Sequence, residues 1–311
     1  MEKVSIIIPT FNRKEMLTRC IDSVLKSSYR DFEIIVSDDA SSDGTNVALK
    51  KYLQYNNFKY IRNKSPELLS KTINNALRYS HGKYIFILDD DNVIDKDCIK
   101  NLVLSFGNDE NVGIVGPLAL YYSKKDRIAH AGVKRSFFIR RAIYPSINKK
   151  RTAKIKINSN VEDFANAFMF RRDIIHVSGA WDLLVPFMGE DGDFEARVIR
   201  LGYKTVINPS AITYHDIKYD PSKGYFVRLN DMRMYHMMHS KILYEYRYDN
   251  LIGKITFTIS IPIYTMYYVY RITFSDKKTL DKLSLFSNLL YGIIIGIADS
   301  LLGRQKIEWI K

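Results

Sequence analysis

Short apolar runs alternate with amphipathic segments over roughly the first 120 residues of the chain. An uninterrupted apolar run is typical of a strand that is buried on both faces of a sheet. The segments between the runs place apolar residues at helical spacing, most clearly over residues 15–26. This alternation predicts βαβ units and an α/β fold whose mostly parallel sheet is flanked by helices. The predicted strands include residues 4–9, 32–37, 84–88 and 112–117.

The pattern changes after about residue 230. Residues 255–270 carry no charge over sixteen positions, and residues 285–298 carry none over fourteen. A membrane-spanning helix needs about 20 apolar residues, and Pro262 interrupts the first run. We therefore expect helices that lie in, or dip into, the cytoplasmic leaflet of a membrane. A short hairpin across the bilayer and ordinary core helices of a second domain are the alternatives.

Three consecutive carboxylates, Asp89, Asp90 and Asp91, directly follow the predicted strand at residues 84–88. Open α/β sheets bind ligands at the carboxyl ends of their strands. Because like charges that are packed together repel, these acids need compensation, and a divalent cation would supply it. Hard oxygen ligands suit Mg²⁺ or Mn²⁺, which are commonly shared with substrate phosphates. A solvated acidic turn is the alternative.

Five short motifs between Val4 and Asp216 place polar or acidic residues at the ends of predicted strands or at the start of a helix. They are residues 4–13, residues 38–45, Asp89-Asp90-Asp91, residues 189–191 and Tyr214-His215. In this order and spacing, the motifs resemble those of glycosyltransferase family 2, with Asp89-Asp90-Asp91 in the place of its Asp-x-Asp motif. The resemblance implies a GT-A nucleotide-diphospho-sugar transferase fold. It also implies a hexosyltransferase-type enzyme that transfers a sugar from a nucleotide-sugar donor with inversion.

The chain departs from the family pattern in two places. Ala40 stands where the family often has glycine, and Ile73 stands where an arginine commonly precedes the residue at Asn74. The Gln-x-x-Arg-Trp motif of processive synthases is absent from the sequence, because neither Trp181 nor Trp309 has that context. We therefore expect the addition of a single sugar rather than polymerisation.

The resemblance also implies roles for individual residues. Asp89 and Asp91 would hold Mn²⁺ or Mg²⁺, with His215 as a third ligand. Asp191 would be the general base, and Glu190 would shape the local field or bind acceptor hydroxyls. The alternative is that these two acids merely favour a helix N-terminus. Donor contacts are expected from Pro9, Thr10, Asn12, Asp38, Asp39 (which would contact the base), Asn74, Asp89 and Asp90.

The formal net charge is +13, and much of it lies between residues 123 and 156, which hold twelve Lys/Arg and one acid. Such a patch indicates an anionic partner, and the alternative is a solvated face that keeps the protein soluble. We expect part of it to meet a lipid-linked phosphate or diphosphate at a membrane surface. Nucleic acid is not expected, because no recognisable binding module is present and acids crowd the predicted cleft. The cations considered are Arg135, Arg140, Arg141, Lys149, Lys150 and Arg151.

Together these features predict a GT-A catalytic domain over residues 1–230 and a membrane-associated helical region over residues 231–311. Residues 1–117 would bind the nucleotide-sugar, and residues 118–230 would provide the acceptor and catalytic half. The expected function is transfer of one sugar to a lipid-linked glycan at the cytoplasmic face of the cell membrane. The alternatives are a polyprenyl-phosphate sugar synthase and an inactive nucleotide-binding membrane scaffold. A nucleotidyltransferase is disfavoured because residues 9–13 contain no glycine.

Overall fold

The alternating apolar runs near the start of the chain form parallel strands joined by helices. The computed structural model describes residues 2–135, 142–152, 161–164, 166–219 and 229–310. The first four strands are β1 (Val4–Thr10), β2 (Phe32–Asp38), β3 (Phe58–Arg62) and β4 (Tyr84–Leu88). They lie in the order β3-β2-β1-β4 with every pairing parallel, so the carboxyl ends of β1 and β4 are neighbours.

The rest of the sheet is mixed. Its strands are β5 (Asn92–Ile94), β6 (Val112–Tyr121), β7 (Ile128–His130), β10 (Ala167–Arg171) and β11 (Lys204–His215), while β8 (Lys134–Arg135) pairs separately with β9 (Ala142–Ile143). β10 runs antiparallel between β4 and β6, and β11 runs parallel to β6. The pairing of β11 with β6 has a register shift between Asn208 and Ile212.

Helices cover both faces of the sheet. They are α1 (Lys14–Leu25), α2 (Thr45–Ala48), α3 (Leu68–Leu77), α4 (Cys98–Phe106), α5 (Ile174–Ser178) and α6 (Glu190–Arg200). Successive strand residues point to opposite faces. Ile6 therefore packs in the cluster that contains Leu17 of α1, whereas Ile7 packs with Ile73 of α3. The sheet is buried on both sides, which explains why its strands are continuous apolar runs.

Three longer helices follow the sheet: α7 (Asp231–Tyr248), α8 (Leu251–Thr273) and α9 (Thr279–Leu301). Pro262 lies inside α8 without ending it. α7 and α9 approach closely, because α9 presents glycine where a side chain would collide with α7. A Cβ on Gly292 would lie 2.5 Å from the Tyr235 carbonyl oxygen, and one on Gly296 would lie 3.2 Å from the His239 Cα.

The outward surface of α8 and α9 is apolar. Ile255 and Ile259 of α8, and Leu283 and Ile294 of α9, are all exposed. Within the residues that the structure describes, α9 is the one helix whose length and composition would allow it to cross a bilayer. An exposed apolar face of this kind marks an interaction surface rather than a core. The predicted membrane contact of this region remains a prediction.

Residues 302–310, here called the tail, return from α9 to the sheet domain. The backbone N–H of Ala180 donates to the Glu308 carbonyl over 2.9 Å, and the N–H of Lys306 donates to the Asp182 carboxylate over 2.8 Å. The helical region therefore ends against the layer of α5 and α6 rather than apart from it. The domain boundary expected near residue 230 stays a prediction.

Candidate active site

A cavity of about 1100 Å³ opens at the carboxyl edge of the sheet. Its walls come from the end of β1, the acids after β4, the start of α6, and the helices α7 and α8. The strand-end acids and the α6 acids are about 100 positions apart in the sequence, yet they face one space. The predicted site residues on its wall are Pro9, Thr10, Asp39, Asp89, Asp90, Asp91, Glu190, Asp191 and His215.

Arg13, which sequence analysis did not assign to the site, lies between two of the strand-end acids. Its Nη1 is 2.9 Å from Asp90 Oδ1 and 2.9 Å from Asp91 Oδ2. The Thr10 hydroxyl donates to Asp90 Oδ2 over 2.7 Å. Arg13 stands three residues after the end of β1, and parallel pairing of β1 with β4 brings it beside these acids. Asp90 is thus bound mainly by the protein itself.

The three adjacent acids differ in their electrostatic surroundings. Burial, followed by the charges of Asp91 and Asp191, raises the pKa of Asp89 well above its usual range. Burial also raises the pKa of Asp90 to about 6, although Arg13 opposes the change. For Asp91, burial opposes ionisation, but hydrogen bonding to His215 and the Arg13 charge outweigh it, so its pKa is lowered. Asp91 is therefore the member of the triplet best suited to remain a carboxylate.

His215 reaches the same edge from the end of β11. β11 pairs with β5 so that His215 lies opposite Asn92, the residue after Asp91. The His215 Nε2 is 3.4 Å from Asp91 Oδ1, and its Nδ1 is 3.4 Å from the side-chain nitrogen of Asn166. The structure therefore brings His215 next to Asp91, and both were predicted as metal ligands.

The acids of α6 begin a helix whose first turn is buried. Gly189 precedes them with a φ of +115°, a left-handed conformation that favours glycine. Burial raises the pKa of Glu190 to about 7. Burial and then the charge of Glu190 raise the pKa of Asp191 well above its usual range. The indole N–H of Trp181 donates to Asp191 Oδ1 over 3.1 Å, which fixes the orientation of that carboxyl group.

Trp181 is itself held from several sides. Its ring stacks on Phe194 of α6 with centroids 4.3 Å apart and planes within 6°. The side chain of Asn74 bonds both backbone groups of Trp181, each over 2.9 Å. Arg197 donates to the carbonyl of the preceding Ala180 over 2.9 Å. Trp181 therefore has a supporting role at the site, which the sequence did not signal because no motif surrounds it.

Four predicted donor-binding residues have protein partners of their own. Asn74 is fully buried against Trp181, away from the cavity wall. Asp38 is also fully buried and accepts from the Tyr60 hydroxyl over 2.6 Å. Asn12 is exposed and accepts from the backbone N–H of Ser42 over 2.7 Å. Asp39 faces the cavity, but its carboxylate accepts two backbone N–H bonds from residues 67 and 68. These contacts stabilise the loops around the site, and the donor contacts stay predictions.

The cations of the basic segment that the structure describes at residues 149–151 are not on the cavity wall, although residues 142–144 and 147 of the same segment are. Lys149, Lys150 and Arg151 are exposed. Arg140, Arg141 and the side chain of Arg135 fall outside the described residues. The lysine and arginine side chains that the structure does place on the cavity wall are Arg13, Arg233, Lys241 and Arg271. Three of these belong to α7 and α8, in the region that sequence analysis assigned to membrane contact.

The donor groups at the acidic edge fit a divalent cation that is completed by substrate. In the part of the chain that the structure describes, no three His, Cys, Asp or Glu side chains converge to hold a metal ion by themselves. However, Asp89, Asp91 and His215 all face the cavity. Mg²⁺ is usually bound through one or two carboxylates plus substrate phosphates, so a complete protein cage is not required.

Comparison with known proteins agrees with this geometry. The model named Glycosyl transferase family 2 matches residues 5–178, which is more than half of the chain. The chain belongs to glycosyltransferase family 2. The family membership predicted from the five motifs is therefore confirmed.

Two curated relatives that match part of this family 2 chain are bacterial glycosyltransferases. Poly(ribitol-phosphate) beta-N-acetylglucosaminyltransferase TarP of Staphylococcus aureus is 35% identical over 119 residues, or 37% of this chain and 36% of TarP. The GalNAc(5)-diNAcBac-PP-undecaprenol beta-1,3-glucosyltransferase of Campylobacter jejuni is 34% identical over 112 residues, or 33% of this chain and 34% of that enzyme. The matches span about a third of the length of each relative.

A solved structure matches nearly the whole chain. The mannosyltransferase PcManGT from Pyrobaculum calidifontis, in complex with GDP-Man and Mn²⁺, has a TM-score of 0.55 and 14% identity. The match covers 97% of this chain and 88% of that one. At this identity the likeness concerns the fold alone. The predicted GT-A fold of this family 2 chain is confirmed.

Proposed function

We propose that this protein transfers one sugar from a nucleotide-sugar to a hydroxyl of a lipid-linked glycan, with inversion and with Mn²⁺ or Mg²⁺. The observation that carries the proposal is that Asp89, Asp91 and His215 share one cavity with Asp191. A diphosphate held at the strand-end acids would leave the anomeric carbon between those acids and α6. A carboxylate on the opposite side of that carbon could then receive the acceptor proton.

The reaction needs one bond to form as another breaks. The acceptor oxygen attacks the anomeric carbon from the face opposite the diphosphate, and the bond from that carbon to the diphosphate oxygen breaks. Asp191 accepts the hydroxyl proton during this displacement. A raised pKa suits a base that acts near neutral pH. The hydrogen bond from Trp181 would keep the Asp191 carboxylate directed at the acceptor.

The donor end of the site would be organised by Asp91, Asp89 and His215. A divalent ion bound there would supply charge neutralisation for the departing diphosphate. Arg13 would hold Asp90 and Asp91 in place through its two contacts of 2.9 Å. The Mn²⁺ present with GDP-Man in PcManGT supports this assignment by analogy of fold.

The acceptor and the location are inferred from two further observations. The Campylobacter relative is named for a glucosyl transfer to a diphosphoundecaprenol-linked glycan, and it is similar to this chain over a third of its length. α8 and α9 expose an apolar face, whose side chains include Ile259 and Ile294. We infer that this face contacts the cytoplasmic side of the cell membrane, in a peripheral, monotopic or short-hairpin arrangement.

Nucleotide binding tests the proposal directly. Calorimetric titrations of UDP, GDP and dTDP would be run with Mn²⁺ and with EDTA on wild type, Asp91→Asn and the exposed control Asp276→Asn. We expect one nucleotide to bind at least about tenfold more tightly with Mn²⁺, and Asp91→Asn alone to lose this gain. Failure of every nucleotide to bind would contradict the proposal. The anomeric configuration of the product, read by NMR, tests inversion.

A further inference from the structure

The cavity continues past the acidic residues into the helical region. Small-molecule sites usually have volumes of about 300–1,000 Å³. At about 1100 Å³, this cavity has room for a second ligand beside a donor. The wall of this second part comes from α7 and α8, and its residues include Arg233, Lys241, Ile263, Tyr264, Tyr267 and Arg271.

Cations set among aromatic rings distinguish this end of the cavity from the acidic end. The guanidinium of Arg233 lies 5.3 Å from the ring centre of Phe187. The ammonium of Lys241 lies 4.8 Å from the ring centre of Tyr264. The guanidinium of Arg271 lies 5.9 Å from the ring centre of Tyr267. A cation over a ring face keeps its charge and is held in position. This end therefore suits a phosphate oxygen.

Two arginines stand on the cavity wall beside Lys241, which forms an ion pair with Glu245 over 3.3 Å. Arg233 and Arg271 are half-buried at the cavity wall. A diphosphate or phosphate ester carries the charge opposite to that of these cations, so this is the ligand class indicated.

The same end of the cavity opens onto the apolar face of α8. Ile263 and Tyr267 line the cavity, yet they remain 52% and 41% exposed. Ile259 and Tyr270 continue this face at helical spacing and are 69% and 63% exposed. A hydrocarbon chain attached to a phosphate in the cavity could therefore leave past Ile263 and Ile259.

We propose that Arg233, Lys241 and Arg271 bind the phosphate or diphosphate head group of a lipid acceptor, whose chain leaves the cavity past Ile263 and Tyr267. This inference rests on the proposed function and names where its acceptor binds. It assigns to α7 and α8 the role that sequence analysis gave to the cations of the basic segment. The lipid phosphate would then lie on the α6 side of the donor, near Asp191.

Binding of model lipids would show whether both the phosphate and the chain matter. The full chain, in detergent and with EDTA to prevent metal-bridged binding at Asp91, would be titrated with farnesyl diphosphate, inorganic diphosphate and farnesol. We expect farnesyl diphosphate to bind at least about tenfold more tightly than either of the others. Equal binding of inorganic diphosphate would indicate a free phosphate site, and equal binding of farnesol an uncharged apolar groove. Either result would overturn the proposal.

Matched variants locate the phosphate contact. Arg271→Gln should weaken farnesyl diphosphate binding about tenfold or more, as expected for loss of a charge-assisted hydrogen bond. Lys277→Gln removes the same charge from the exposed α8–α9 connection and should bind as wild type. Equal affinity of the two variants would overturn the assignment. Thermal melting of both variants would exclude a folding defect as the cause.

A second pair of variants locates the chain. Ile263→Asn and Ile255→Asn each remove an isoleucine that is about half exposed on α8, but Ile263 alone of the two lines the cavity. We expect Ile263→Asn to weaken farnesyl diphosphate binding at least about threefold more than Ile255→Asn, because a chain bound past Ile263 would remove its apolar surface from water. Equal weakening would show that α8 acts only through general contact with detergent.

Failure of this inference is separable from failure of the proposed function. Mn²⁺-dependent nucleotide binding would be measured on the same Arg271→Gln and Ile263→Asn samples. Intact nucleotide binding with no preference for farnesyl diphosphate would leave the transferase proposal standing and refute the acceptor site. Absence of Mn²⁺-dependent nucleotide binding in the wild-type protein would instead refute the donor site.

Discussion

At the acidic end of the cavity, side chains stand at the ends of paired strands, whereas at the cationic end they project from two helices with a half-exposed surface. The register between β1 and β4 and between β5 and β11 leaves Asp91 and His215 little freedom. Arg233 and Arg271, by contrast, belong to helices that also present the outer apolar face. The positions of the side chains at the acidic end depend on strand pairing in the sheet. Those at the cationic end depend on the environment of the outer face of the helices.

This difference teaches how the two substrates would be handled. A small, highly charged donor needs fixed groups at its diphosphate, because a displacement of about 1 Å can cost 10²-fold in rate. A lipid acceptor needs an opening toward its own phase, and α8 provides one beside Ile263. The following predictions test how separate the two ends are, starting with the largest expected effect.

Asp191→Asn should reduce sugar transfer by at least about 10³-fold, because an amide cannot accept the acceptor proton. Donor binding should stay within about twofold, because the diphosphate contacts lie at the other end of the site. Steady-state turnover and nucleotide calorimetry would measure the two effects, with Asp276→Asn as the exposed control. Near-normal turnover in Asp191→Asn, together with an inactive Glu190→Gln, would move the role of base to Glu190.

Trp181→Phe should lower kcat about 10–100-fold while keeping the ring stacked on Phe194. The indole hydrogen bond lowers the pKa of Asp191, so its loss should raise that pKa further and move the acidic limb of the kcat–pH profile to higher pH. Trp309→Phe, at an exposed tryptophan, should change neither quantity. An unmoved pH limb with a lower melting temperature would indicate a purely structural role for Trp181.

Ile259→Asn should give the smallest effect, a fall of about fivefold to tenfold in partitioning onto anionic phospholipid vesicles, since an apolar side chain no longer enters the interface. Leu53→Asn, an exposed apolar position of the sheet domain, should partition as wild type. Cosedimentation at fixed lipid concentration would measure both. Equal partitioning of the two variants would argue that α8 does not contact the membrane.

The parts of the fold that could be predicted from the sequence are those with a clear pattern of apolar and polar residues within one strand or helix. The run at residues 84–88 and the acids after it predicted a buried strand with a polar end, and β4 has that form. The sequence could not reveal that Arg13 would bridge Asp90 and Asp91, because that contact depends on the pairing of strands about 80 residues apart. Patterns within one element carry no information about which distant element lies beside it.

Other contacts could not be predicted for the same reason, because they join residues that are far apart in the sequence. The place of Asn74 before the acidic strand suggested a donor contact, but the sequence could not show that its amide bonds the backbone of Trp181, 107 positions later. The cations of α7 and α8 lie in a stretch that reads as membrane-associated, so the sequence concealed their place on the cavity wall. Charge density pointed instead to the segment at residues 123–156, where the described cations at 149–151 face solvent.

The tail sets an order of events during synthesis. Lys306 and Glu308, which bond the loop at Ala180 and Asp182, leave the ribosome only after α9 has been made. The loop that positions Trp181 can therefore acquire these hydrogen bonds only after α8 and α9 have been synthesised. A chain that stops within α9 would carry every catalytic acid and still lack this fastening. Hydrogen bonding of the tail to this loop therefore requires that α8 and α9 have already been synthesised.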